Sequence, residues 1–188
     1  GKSSLLSLLA GSAEPDDGRV MRRGGTTTGT LEQTDALDPE ATVAWEIVGD
    51  APEYTWASDA RIRSIIRGLI ADIPWDGRVG DLSGGQRRRV DLARVLVGDF
   101  DVLMLDEPSA GLAPMMVEEV FVRLQALARD GVAVLMVEQN ARAALRHSDR
   151  AYVLVEGHNH LEGPSRQLLQ DAAFGAAFLG AGRRKEHA

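Results

Sequence analysis

Extended and helical segments alternate along the chain, and that alternation predicts an α/β domain. Two continuous apolar runs of strand length, residues 100–105 (FDVLML) and 132–137 (VAVLMV), have the character of parallel strands covered on both faces. Between them Val117, Val120, Phe121, Leu124, Leu127 and Ala128 recur at helical spacing, so a helix with one apolar stripe joins the two strands.

The remaining elements follow from local chemistry. Residues 4–10 read as a short apolar helix stopped by Gly11, a favourable residue just past a helix end. Residues 13–18 (AEPDDG) are turn chemistry. Extended pieces are expected at 19–22 and 26–31, and helices at 40–48, 58–71 and 86–97. After the second apolar strand come a helix at 140–146, strands at 151–155 and 158–162, and a last helix from Ser165. Residues 181–188 are expected to fray.

The 188 residues are 44% hydrophobic and 26% charged, enough to bury a core without covalent staples. The absence of cysteine excludes disulfide scaffolds, thiolate zinc sites and thiol nucleophiles. A net charge of −7 argues against a broadly basic nucleic-acid face. No apolar run approaches the roughly 18 residues a membrane span needs, and no signal peptide is visible, so a cytoplasmic location is expected. Residues 24–60 hold eight acidic side chains and no basic one, with Arg61, Arg63 and Arg67 directly after. Two solvated faces of opposite sign account for that contrast.

Three strings carry chemistry. Gly1-Lys2-Ser3-Ser4 opens an apolar helix: backbone N–H groups at a helix N-terminus cradle phosphate, a lysine reaches its outer oxygens, and a hydroxyl binds Mg²⁺. Leu82-Ser83-Gly84-Gly85-Gln86 stands between a loop and a helix. A serine-capped helix with a flexible entry explains the capping, yet the full string arises by chance at roughly one position in a million. Asp101 to Pro108 (DVLMLDEP) is a strand that ends in two adjacent acids, a costly arrangement unless a cation lies near. Mg²⁺ and nucleotide phosphate would supply that charge, with Asp106 holding the metal shell and Glu107 orienting or deprotonating the attacking water.

In their order, these strings resemble the ATP-binding cassette (ABC) ATPases over essentially the whole chain. The resemblance implies a P-loop NTPase-like core with an inserted helical subdomain, about residues 40–98, that carries the Ser83-Gly84-Gly85-Gln86 signature. It implies ATP and Mg²⁺ as ligands: Gly1, Lys2, Ser3 and Ser4 with the signature residues on nucleotide, and Ser3, Gln33 and Asp106 on the metal. Glu107, Gln33 and Gln139 take the catalytic positions. It also implies a second cassette as partner, each signature completing the other's site. The chain starts inside the first motif, so it is expected to be one partial domain whose first strands lie upstream of Gly1. By itself it is expected to bind ATP weakly.

Two subfamilies are resembled in different halves. Leu31-Glu32-Gln33, residues 56–67 (WASDARIRSIIR) and residues 82–90 (LSGGQRRRV) are similar to the F subfamily, soluble twin-cassette factors acting on ribosomes. The strings that subfamily carries after Glu-Pro are absent here. From Ser109 on, Ser109-Ala110-Gly111-Leu112-Ala113-Pro114, Val137-Glu138-Gln139-Asn140-Ala141 and residues 149–157 (DRAYVLVEG) resemble the ATPase subunits of branched-chain amino acid importers. Ala113 stands where a D-loop aspartate is usual, and Gln139 where a switch histidine is usual. Glutamine donates a hydrogen bond but does not titrate. A junction near residues 105–109 would account for the change. The first expectation is therefore an importer ATPase, peripheral on the cytoplasmic face of the cell membrane and docked on a transmembrane permease. The alternatives are a ribosome-associated factor and an inactive nucleotide-binding remnant.

Several residues invite readings that their surroundings in the sequence do not support. His158 and His160 would share one strand face, but no further ligand stands at metal spacing, so a solvated hairpin tip is expected. His147 suits a helix C-terminus. Arg87, Arg88 and Arg89 point in different directions on a helix and are expected on a solvated or interface face, with RNA contact a lesser alternative. The Arg183-Arg184-Lys185 tail is incidental.

Overall fold

A computed structural model describes residues 1–171 with Phe174 and Gly175, so the expected fraying of 181–188 and the basic tail lie outside the described residues. The chain forms two compact units, one of Ser3–Val137 and one of Gly1–Lys2 with the described residues from Glu138 on.

Helix α1 (Lys2–Ala10) ends at Gly11, whose φ of +76° a side chain would strain. Strands β1 (Thr28–Leu31), β2 (Val102–Asp106) and β3 (Ala133–Val137) form a parallel sheet with β2 in the centre. Leu31 lies opposite Leu105, and Asp106 opposite Val137. At the other end of the β1–β2 pair the Asp101 carboxylate accepts from the Thr27 amide (2.8 Å) and hydroxyl (3.0 Å), which holds its pKa below the ordinary value. Leu103, Met104 and Leu105 are buried, as the apolar run predicts, while Phe100 and Val102 at its start are half-buried; β3, at one edge of the sheet, is less covered, and its Leu135 is 38% exposed.

Helices α2 (Val43–Val48), α3 (Glu53–Ser58), α4 (Ala60–Ile70) and α5 (Gly84–Val97) follow β1 and precede β2; α6 (Pro114–Arg129) joins β2 to β3. α2 and α4 pack on α5, and α4 also meets α6. The expected helix at 58–71 starts later because Asp59 caps it, its carboxylate accepting from the amides of Arg61 (2.7 Å) and Ile62 (3.2 Å). The preceding turn is the separate helix α3, whose Trp56 ring meets that of Trp75 at 5.1 Å. The Arg61 guanidinium donates to the carbonyls of Leu96 (3.0 Å), Val97 (3.0 Å) and Gly98 (3.2 Å), closing the C-terminal end of α5. The extended piece expected at 19–22 is no strand. Val20 and Met21 are exposed, and Arg22 reaches back to the Leu9 carbonyl instead of pairing with another strand.

In the other unit α7 (Ala141–His147) is capped by Asn140, and β4 (Arg150–Val155) pairs antiparallel with β5 (His158–Pro164), followed by α8 (Ser165–Gln170). Leu145, Leu168 and Phe174 form its core, with Ala151, Val153 and Leu161 against them. The hairpin tip is Glu156-Gly157, both at positive φ, as a two-residue primed turn requires. His158 thus opens β5 instead of forming the tip. His147 closes α7 as the sequence suggests.

Candidate functional site at the carboxyl end of the sheet

The parallel sheet brings the carboxyl ends of β1 and β2 side by side, since Leu31 pairs with Leu105. Beyond Leu31 the chain turns through Glu32 and Gln33; beyond Leu105 stand Asp106 and Glu107. Asp106 is 6% exposed, and its Oδ1 is buried without a hydrogen-bond partner among the described residues. A buried carboxylate oxygen of that kind is suited to a cation.

Glu107 is held in an unusual conformation, φ +49°, which costs of order 1–3 kcal/mol for a residue with a side chain. Three backbone hydrogen bonds keep it there. Its N–H donates to the Val137 carbonyl (2.9 Å), and its carbonyl accepts from the Ala110 N–H (2.9 Å) and the Arg88 guanidinium (3.0 Å). The backbone turn therefore fixes where the Glu107 side chain starts.

Arg88 is the residue that sequence reasoning missed. It is no solvated cation: it is 8% exposed and reaches from α5 under the sheet end, donating to the carbonyls of Glu32 (2.6 Å), Asp106 (2.8 Å) and Glu107. Burial pulls its pKa below the ordinary value, opposed by Asp91, Asp106, Asp35 and Glu107. The signal was present in the sequence: Arg88 falls in phase with Leu92 and Val95 on the buried stripe of α5, with Asp91 three residues on.

Its neighbours are engaged as well. Arg87 pairs with Asp35, one Nε–Oδ2 contact being 3.3 Å, and Arg89 pairs with Asp72 (2.8 Å) while donating to the Leu69 carbonyl (2.9 Å). The expected solvated arginine face is thus corrected. Successive residues lie about 100° apart on a helix, and each guanidinium finds a different internal partner. The acidic stretch stays largely solvated, as expected, with Glu32, Asp38, Glu40, Asp50 and Glu53 exposed; Asp35, Glu46 and Asp59 are the half-buried exceptions, bonded to Arg87, to the Asp38 amide and to the first amides of α4.

The Arg87 hydrogen bond holds the Asp35 carboxyl below its ordinary 3.8, against the opposing effect of burial. The stability this pair adds is complete above 3.8 and is lost as pH falls through the lower folded-state value. Asp35→Asn is expected to flatten the acid side of a melting-temperature against pH curve. An acid limb identical to the parent's would show the pair to be idle.

Ser83, Gly84, Gly85 and Gln86 open α5 as a capping box. The Ser83 amide donates to Gln86 Oε1 (3.0 Å), the Ser83 hydroxyl to the same oxygen (2.9 Å), and the Gln86 amide to Ser83 Oγ (3.4 Å). A Cβ on Gly85 would lie 3.6 Å from the Gly111 carbonyl, so this turn faces the loop that follows Glu107; one on Gly84 would meet open space. Ser3 and Ser4 stand in the first turn of α1. Gly1, Lys2 and Gln139 belong to the other unit, where Gln139 is exposed just before α7. The structure thus brings Gln33, Asp106 and Glu107 to one sheet end, gathered by Arg88, with the signature turn at the start of the same helix.

Among the described residues no helix is long and apolar enough to cross a membrane, and no group of three or more His, Cys, Asp or Glu is placed to hold a metal.

Residues 1–110 match the family model described as "ABC transporter". The chain is 32% identical over 96% of its length to the high-affinity branched-chain amino acid transport ATP-binding protein BraG of Pseudomonas aeruginosa, covering 83% of that protein. It is 33% identical over 90% of its length to the Nod factor export ATP-binding protein I of Burkholderia orbicola, spanning 60% of it. A solved ATP-binding subunit of an ABC transporter superposes with a TM-score of 0.79 at 18% identity, covering 95% of this chain and 80% of that one. The α/β, P-loop NTPase-like cassette fold is that of the solved transporter subunit.

Proposed function

The chain belongs to the ABC-transporter family, and from that membership we propose that it is the ATP-hydrolysing cassette of an importer for branched-chain amino acids. The observation that carries this is the agreement over 96% of the chain with a branched-chain amino acid transport ATP-binding protein. The resemblance of residues 109–157 to importer ATPase subunits supports it as well, since it implies Ala113 and Gln139 in place of the usual D-loop aspartate and switch histidine. In this reading ATP is the substrate, a second cassette closes on it, and transmembrane permease subunits receive the motion.

Asp106, Ser3 and Gln33 are the residues that would hold Mg²⁺, and the orphaned Asp106 oxygen fits that role. The ion supplies charge neutralisation at the phosphates. Lys2 and the α1 N-terminus bind the phosphate oxygens. Glu107 orients and deprotonates the attacking water, Gln33 positions it, and Gln139 donates a hydrogen bond to the terminal phosphate. Co-purification of the full-length protein tests the role: permease subunits are expected, and recovery with ribosomal particles would overturn it. That second reading rests on residues 82–90 (LSGGQRRRV) and 56–67.

The signature acts on the partner's nucleotide in this proposal. Gly85→Asp is expected to leave ATP binding by the separated monomer intact while abolishing ATP-driven dimerisation, measured by light scattering with and without nucleotide. Its Cβ meets only an ordinary contact within the chain, so the fold should survive. Equal loss of binding and dimerisation would contradict action across the dimer.

A further inference from the structure

We propose that Arg88 is a positioning residue, a buried guanidinium clamp that holds the Gln33 turn and the Glu107 turn in one fixed relation and ties both to the signature helix. The inference rests on the ATPase reading above and names a part that reading lacks.

The geometry carries it. One terminal nitrogen of Arg88 donates to the carbonyl of Glu32, the residue before Gln33; the other donates to the carbonyls of Asp106 and Glu107. Arg87 pairs with Asp35, two residues after Gln33, so consecutive arginines of α5 grip the Gln33 turn on both sides. The Glu107 backbone needs restraint, since its positive φ is a conformation that relaxes when its hydrogen bonds are lost. Arg88 stands two residues after Gln86, so a displacement of the signature turn along the helix axis reaches both carboxyl ends of the sheet through one rigid side chain.

The placement is costly, which argues against simple packing. Arg88 Nε is buried without a hydrogen-bond partner among the described residues, and its contact with the Asp91 carboxylate is long, 3.8 Å, with the other Asp91 oxygen held by Arg94 at 2.6 Å. An apolar side chain would fill the same volume with less desolvation. What only a guanidinium does there is span carbonyls from two different strands with a planar fork; an ammonium has neither the reach nor the fixed angles.

The test compares Arg88→Lys, Arg88→Met and Arg61→Lys in the full-length protein. Arg61 likewise spans carbonyls, but at the other end of α5. Both Arg88 variants are expected to lose roughly 10- to 100-fold in kcat for ATP, with KM within about threefold of the parent, a loss confined to the transition state. Arg61→Lys is expected to lower the melting temperature while sparing kcat in the folded fraction. On a Glu107→Gln background, replacing Arg88 should cost little further, because residues acting as one unit are not additive. Parent-like kcat in folded Arg88→Lys would overturn the proposal, as would an additive loss on the Glu107→Gln background. A parent protein that hydrolyses no ATP would instead overturn the ATPase reading.

Discussion

Glu107→Gln in the full-length protein is expected to retain Mg-ATP, to slow its hydrolysis by roughly 10²–10⁴-fold, and to accumulate the closed two-cassette form. The amide keeps the shape of the carboxylate and loses the proton acceptor. The backbone argument makes the variant informative, because the turn at φ +49° is fixed by the bonds to Val137, Ala110 and Arg88, none of which involves the Glu107 carboxylate. The replacement therefore leaves these three backbone bonds in place. Single-turnover hydrolysis with nucleotide-binding measurements on the same sample checks it. A turnover equal to the parent's would move proton abstraction to another group, and a parallel loss of nucleotide would make Glu107 a binding residue.

Much of this was legible before any coordinates. β2 was legible because a short apolar run of strand length suits a strand covered on both faces, and Leu103, Met104 and Leu105 are indeed buried. The hairpin and the serine cap at Ser83 follow from local chemistry that tertiary packing does not override, whereas Asp59 and Asn140, placed inside helices by periodicity, prove to be the caps that start them. The burial of β3, one of the two edge strands, was misjudged because an apolar run does not say how many neighbours it has. The arginine run was misjudged for a different reason: charge was weighed ahead of helical phase. Arg88 shares the stripe of Leu92 and Val95, and position on the helix outweighs polarity when carbonyls wait at the other end. The same correction takes Asp35 out of a largely solvated acidic stretch: half-buried, it is the acceptor for Arg87.

The arrangement around Arg88 also separates stability from activity, and Asp91 is the residue that shows it. Asp91 is 1% exposed, one helical turn after Arg88, and its buried carboxylate lies 3.8 Å from that guanidinium. Asp91→Ala is expected to cost about 3 kcal/mol. That is the low end for breaking a buried charge pair, since three carbonyls continue to solvate Arg88. At the ~2–4 °C per kcal/mol usual for this size, the melting temperature falls by about 6–12 °C. Arg94 adds little to the loss because its side chain is 38% exposed and returns to water. Combining Asp91→Leu with Arg88→Met removes both charges and fills the space with apolar atoms, so most of the melting temperature should return. Turnover should not return with it, because no side chain then spans the carbonyls of Glu32, Asp106 and Glu107. Thermal melts and kcat on the two variants decide the matter. A single variant that melts with the parent would show that the carbonyls alone carry the Arg88 charge, and a double variant with parental turnover would show that the clamp serves the fold and not the reaction.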